Sequence, residues 1–144
     1  MKKFLPVLLI FFIGWACSSQ KKMTEMKPGK VEVAGQDSVA PKDSLEYSIE
    51  TFDNNFETWY QLHKSQSKYR SKNYYEQWNR QYVAAWNANA ADPRKSSFFE
   101  PIVGYDPNVD YGLELNHKLF YYFQYVENVL KKKIMPVSPK AVLF

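Results

Sequence analysis

Between residues 73 and 90 the chain reads NYYEQWNRQYVAAWNANA, with Tyr74, Trp78, Tyr82 and Trp86 recurring every four positions. On a helix that spacing stacks the four rings along one side. Tyr75, Val83 and Ala85 widen the side, while Glu76, Arg80 and Gln81 fall elsewhere. A large ring hides about 150–250 Å² of surface only when something packs on it, so the rest of the chain has to cover this helix. Aromatic residues make up 17% of the 144, enough to build a core rather than a disordered chain.

The flanking segments supply the cover. Residues 45–52 alternate, with Leu45, Tyr47 and Ile49 on one face and Glu46, Ser48 and Glu50 on the other, the pattern of a half-buried strand. Asp53-Asn54-Asn55 breaks it and offers a cap for a first helix that runs through Phe56, Trp59, Tyr60 and His63 to about Lys64. Asp92-Pro93 ends the aromatic helix. A long connection follows, in which residues 99–103 suit a short strand beside the first. A third helix is expected over 111–133, with Leu115, Leu119, Tyr122, Phe123, Val126, Val129 and Leu130 as its apolar stripe. Lys131, Lys132 and Lys133 then sit against its negative end, and Pro136 and Pro139 release a tail. The fold class expected is α+β and helix-dominated, with one or two short strands and three helices around an aromatic core.

The amino terminus reads MKKFLPVLLIFFIGWAC. Two lysines precede an apolar run over 4–13, too short to cross a bilayer core of about 30 Å, so it reads as an export signal. Cys17 is the single cysteine, and with Ala16 before it and Ser18-Ser19-Gln20 after it the site looks like the lipobox of a bacterial lipoprotein. The resemblance implies a diacylglycerol on the Cys17 thiol and cleavage just before it, although Gly14 and Trp15 depart from the usual lipobox residues. Lipidation would leave no thiol for other chemistry. Residues 18–44 contain no aromatic residue and alternate five lysines with four acids, the composition of a flexible spacer in which Val31-Glu32-Val33 could pair as a passing edge. The organisation expected is a signal at 1–16, a lipidated cysteine and tether at 17–44, one domain at 45–134 and a tail at 135–144.

Residues 45–144 hold twelve Lys or Arg against eleven Asp or Glu. A folded part so near neutrality argues against nucleic acid, which needs a concentrated basic surface. Asp106, Asn108 and Asp110 occupy alternate positions ahead of Gly112, as oxygen ligands do at the start of a calcium loop. The glycine falls one place late, and His117 stands where a bidentate glutamate belongs, so the competing reading is a turn with Asp110 capping the third helix. Calcium is the one cofactor weighed. Some twenty aromatic residues are hard to hide in so small a domain, and a surface lined by Tyr69, Tyr74, Tyr121 and Tyr125 is expected to receive a partner. Rings interleaved with Asn79, Gln81, Asn87 and Asn89 could also form a sugar platform. Catalytic signatures are thin. There is no GxSxG, HExxH or phosphate loop, His63 and His117 read as partly exposed helix residues, and Glu57, Glu76 and Glu114 have no telling spacing.

The segments NYYEQWNRQYVAAWN, YDPNVDYGLELNHKLFYYF and FDNNFETWY together resemble an uncharacterised family of small Bacteroidetes lipoproteins, filed as a domain of unknown function. The resemblance covers about residues 45–128 and implies localisation and boundaries, with no activity attached. The function expected is that of a lipid-anchored, non-catalytic binding or interaction module, carried by the outer membrane and facing the periplasm. Its partners would be the membrane and another envelope protein or a glycan. A glycan- or small-ligand-binding lipoprotein, with or without calcium, is the alternative, and a hydrolase using a carboxylate pair comes after it.

Overall fold

The computed structural model describes residues 29–36, 46–51 and 53–139. The signal segment and Cys17 lie outside them. Among the described residues the order is β1 (Val31–Gln36), β2 (Glu46–Thr51), α1 (Asn54–His63), α2 (Lys72–Ala91) and α3 (Gly112–Asn128), with a single 3-10 turn at Gln66–Lys68. This is the α+β, helix-dominated arrangement expected from the sequence.

α3 is the axis of the domain. Every residue from 115 to 126 is buried except Lys118, which is half-buried and reaches Glu57 of α1 at 2.8 Å. A helix enclosed on all sides needs neighbours on all sides. α3 has them in α1, α2 and β2. α3 stops at Asn128, short of the expected 133. Lys131 takes a left-handed backbone (φ 55°), the Lys132 N–H returns to Val126 O at 3.0 Å, and the Glu127 carboxylate receives the N–H groups of Ile134 and Met135. The three lysines therefore lie beyond the helix, not in its last turn.

α2 starts at Ser71, whose hydroxyl accepts from the Tyr74 N–H. Its buried line is Tyr75, Asn79, Tyr82, Trp86 and Asn89, while Tyr74 and Trp78 are half-buried. A four-residue step advances about 40° beyond a full turn, so a stripe spaced by fours drifts off the seam. Alternating steps of four and three stay on it.

The largest departure is β1. Residues 31–36, read above as part of a loose spacer, pair antiparallel with β2, Val33 opposite Ile49 and Val31 opposite Thr51. Val31 and Val33 are buried with Ile49. On its other edge β1 receives Val103 in a parallel bridge to Glu32, with Val33 N–H to Val103 O at 2.9 Å. No strand forms over 99–103 as expected; Val103 alone makes a bridge, and it does so with β1 rather than with residues 45–52. Two valines are too brief a pattern to announce a strand; its partners, far along the chain, decide it. Glycines allow the close approach. A Cβ on Gly104 (φ 81°) would fall 2.1 Å from Val33 O, and one on Gly29 (φ 106°) 2.0 Å from Phe98 O. The Gly29 N–H donates to the Tyr122 hydroxyl at 3.2 Å, and Met135 is buried at the other end. The folded unit therefore exceeds 45–134 on both sides.

Candidate functional site

The four tyrosines expected to share a surface are separated. Tyr121 and Tyr125 are 1% and 3% exposed, which corrects their assignment to an outer patch. Tyr125 packs against Trp59 and Phe56 at 5.3 and 5.5 Å between ring centroids, and half-buried Tyr74 leans on Phe120 at 5.7 Å. Rings on a helix buried all round have no outer face to occupy. Tyr121 and Tyr125 share Trp59, Tyr74 and Tyr121 share Phe120, and Tyr69 and Tyr121 close on His117, the nearest ring to both.

His117 is fully buried, where the sequence suggested partial exposure. Its position on α3 is enclosed by Tyr69 and Tyr121 at 4.1 and 4.2 Å and by Tyr75 and Tyr60 at 5.2 and 5.7 Å. Nδ1 shares a 2.9 Å hydrogen bond with the Tyr60 hydroxyl. Nε2 and the Tyr121 hydroxyl have no hydrogen-bond partner among the described residues. Burial disfavours the charged ring, Lys64 adds like-charge repulsion, and the imidazole is lowered to about 4. Burial likewise pushes the Tyr60 hydroxyl upward and that of Tyr121 up to about 12. The group is an aromatic-walled box whose imidazole and hydroxyls are neutral at ordinary pH.

The turn at 106–112 is held by its own hydrogen bonds. Asp106 Oδ1 accepts from the Asn108 N–H and from Asn108 Nδ2 at 2.8 and 3.0 Å. Asp110 Oδ1 accepts from the Gly112 N–H at 2.9 Å, and its other oxygen is ion-paired to Lys72 of α2. That pairing and the Gly112 bond lower the Asp110 carboxyl below its ordinary value. Tyr111, not Asp110, occupies the N-cap position. Among the described residues no group of three or more His, Cys, Asp or Glu side chains is placed to hold a metal ion. Lys72 stands where a cation would approach Asp110.

The carboxylates weighed for acid–base work have other partners. Glu57 accepts from Lys118 and from the Thr51 hydroxyl, and Glu76 faces Lys72 at 3.7 Å. Glu114 borders a shallow recess of about 210 Å³ with Ser48, Ile49, Tyr60, Leu115 and Lys118. Of the supposed sugar platform, Gln81 is exposed and bonds to Gln77 O of its own helix, while the three asparagines hold other segments of the fold. Asn79 donates to Asn116 O at 2.8 Å, Asn87 accepts from the Ile102 N–H at 2.9 Å, and Asn89 donates to Ile134 O at 2.8 Å.

A wider groove of about 490 Å³ opens where the end of α2 meets the segment after α3. Ala85 and Ala88 on α2, with Ile134, Met135 and Pro136, line its apolar part; Asn89, Lys95 and Lys133 supply the polar groups. Asn89 is 7% exposed and joins three pieces of chain: its Nδ2 holds Ile134 O while its Oδ1 accepts from Lys95 Nζ at 2.8 Å. Opposite it, Glu127 Oε1 fixes the N–H groups of Ile134 and Met135, and its Oε2 accepts from the Tyr82 hydroxyl at 2.9 Å. Sequence reading missed Glu127 and Asn89 as the residues that shape this groove. A polar side chain on an otherwise buried helical seam was the available signal, since such a group has to find a partner.

With this geometry in hand, the comparison with known families is informative. A model described as Family of unknown function (DUF6146) matches residues 5–142. The chain belongs to that family. No curated protein and no solved structure matches it. The family match spans β1, the groove and the His117 box alike, so this DUF6146 chain carries β1 within the family's extent rather than ahead of it. No helix among the described residues is long and apolar enough to cross a membrane.

Proposed function

We propose that this DUF6146 protein is a lipid-anchored, non-catalytic binding module of the bacterial cell envelope, held at the outer membrane and facing the periplasm, in line with its resemblance to Bacteroidetes lipoproteins. The observation that carries the reading is residues 1–17, where two lysines, a short apolar run and the sole cysteine stand in the order of a lipoprotein signal. A thiol-linked diacylglycerol at Cys17, with each buried methylene contributing about 0.8 kcal/mol, would hold the domain at the bilayer. Two features support binding over turnover. His117, His63, Glu57 and Glu76 each have a structural partner, in Tyr60, the Trp59 carbonyl, Lys118 and Lys72 respectively. A preformed concave groove lies elsewhere, at the end of α2. Internal use of Asn79, Asn87 and Asn89 favours a ligand other than a glycan.

Metabolic labelling with a palmitate analogue tests the anchor. The native chain should label and fractionate with outer membranes, and Cys17→Ser should do neither. A Cys17→Ser variant that still labels, or a native chain that stays soluble with its first sixteen residues in place, would remove the reading.

A further inference from the structure

We infer that the groove between α2 and residues 133–136 binds a small amphiphilic carboxylate, an aliphatic body closed by one anionic head, of which a medium-chain fatty acid is the simplest form. This rests on the reading of the protein as a binding module and names what it binds. The floor is apolar: Ile134 and Met135 are 4% and 7% exposed, with Ala85, Ala88 and Pro136 beside them. Among the described residues its only charged lining groups are two lysines, Lys95 and Lys133. An apolar floor with cationic groups and no lining carboxylate calls for a ligand that is apolar along its length and negative at one end.

The cationic end is built rather than incidental. Lys95 Nζ is tied to Asn89 Oδ1, and Asn89 is itself buried and tied to Ile134 O, so the ammonium is located before any ligand arrives. An ammonium held by one amide oxygen retains two further N–H donors, enough to receive a carboxylate. Lys133, on the segment that Glu127 holds through Ile134 and Met135, brings a second positive charge. Lysine suits this geometry, being a point charge on an apolar stem that can lie along the wall. The volume of about 490 Å³ falls in the range of small-molecule sites.

The test is calorimetric titration of the purified full-length protein with sodium octanoate, octanamide and acetate, alongside a short peptide ending in two apolar residues. Octanoate should bind saturably, octanamide about tenfold more weakly for want of the charge, and acetate not at all. Lys95→Gln should weaken octanoate about tenfold while leaving octanamide unchanged. Ala88→Phe, which fills the groove from an exposed helix position, should abolish both without altering the circular dichroism spectrum. Equal affinity for octanoate and octanamide, undiminished binding in Ala88→Phe, or preference for the peptide would each overturn the inference. Absence of octanoate binding would overturn it too. That result would leave Cys17 labelling intact, and failure of labelling would leave octanoate binding intact, so the two readings fail separately.

Discussion

Acidification below about pH 6.5 should destabilise this protein, because of one residue. His117 has an ordinary value of 6.5, but burial among tyrosines lowers it to about 4 in the fold. Between those values the unfolded chain binds a proton that the folded chain refuses, so stability falls as pH falls. Above 6.5 the ring is neutral in both states and its contribution is complete; below about 4 it is charged in both and the contribution is gone. At about 1.36 kcal/mol per unit, the whole window is worth about 3 kcal/mol, and the part between pH 7 and 5 about 2 kcal/mol. Against a total stability of about 5–15 kcal/mol for a domain, that is readily measured. Urea denaturation followed by tryptophan fluorescence at pH 7 and 5 is the assay, in a His63→Gln background that removes the other histidine. His117→Leu in that background should flatten the pH response even if it lowers stability at both pH values. Nuclear magnetic resonance of the ring Hε1 should place its midpoint near 4 in the native fold. An unchanged pH response in His117→Leu, or a midpoint near 6.5, would refute the buried-box argument.

Two further outcomes follow from backbone geometry. Gly104→Ala drives a Cβ to 2.1 Å from Val33 O at a φ of 81°, so the bridge between β1 and residue 103 has to break. A loss of about 3 kcal/mol or more by urea denaturation is expected, and a near-neutral result would argue against that bridge. Lys131→Gly relieves a left-handed lysine after α3 (φ 55°) and should stabilise the domain by about 1 kcal/mol, read as a rise in Tm. A lower Tm would mean that the turn does not take this conformation.

The helices were legible because their signals are local. Asp53 caps α1, Asp92-Pro93 closes α2, and the residues between them have the right period. What was not legible depends on distant partners. Val31 and Val33 form a strand because Ile49 and Val103 meet them. His117 is buried because Tyr69 and Tyr75, from outside its own helix, fold over it. Tyr121 and Tyr125 looked available on an amphipathic helix; they are not, because α3 is covered on every side. The groove was invisible for the same reason. Ala88 and Pro136 are unremarkable residues until Asn89 and Glu127 draw the strand of chain after α3 across the end of α2.

The placement of β1 also decides how the domain would bear a pull. Eleven residues separate Cys17 from Gly29, at most about 40 Å of fully stretched polypeptide. Were the chain anchored at Cys17, tension would meet Gly29, whose N–H is bonded to Tyr122 and whose carbonyl is bonded to Glu100, and then a strand paired with β2 on one edge and bridged to Val103 on the other. Drawn along its axis, such a strand would load the β1–β2 ladder and the Val103 bridge together in shear instead of unzipping one bond after another. The point of entry would thus be braced by the sheet and, through Tyr122, by α3 as well.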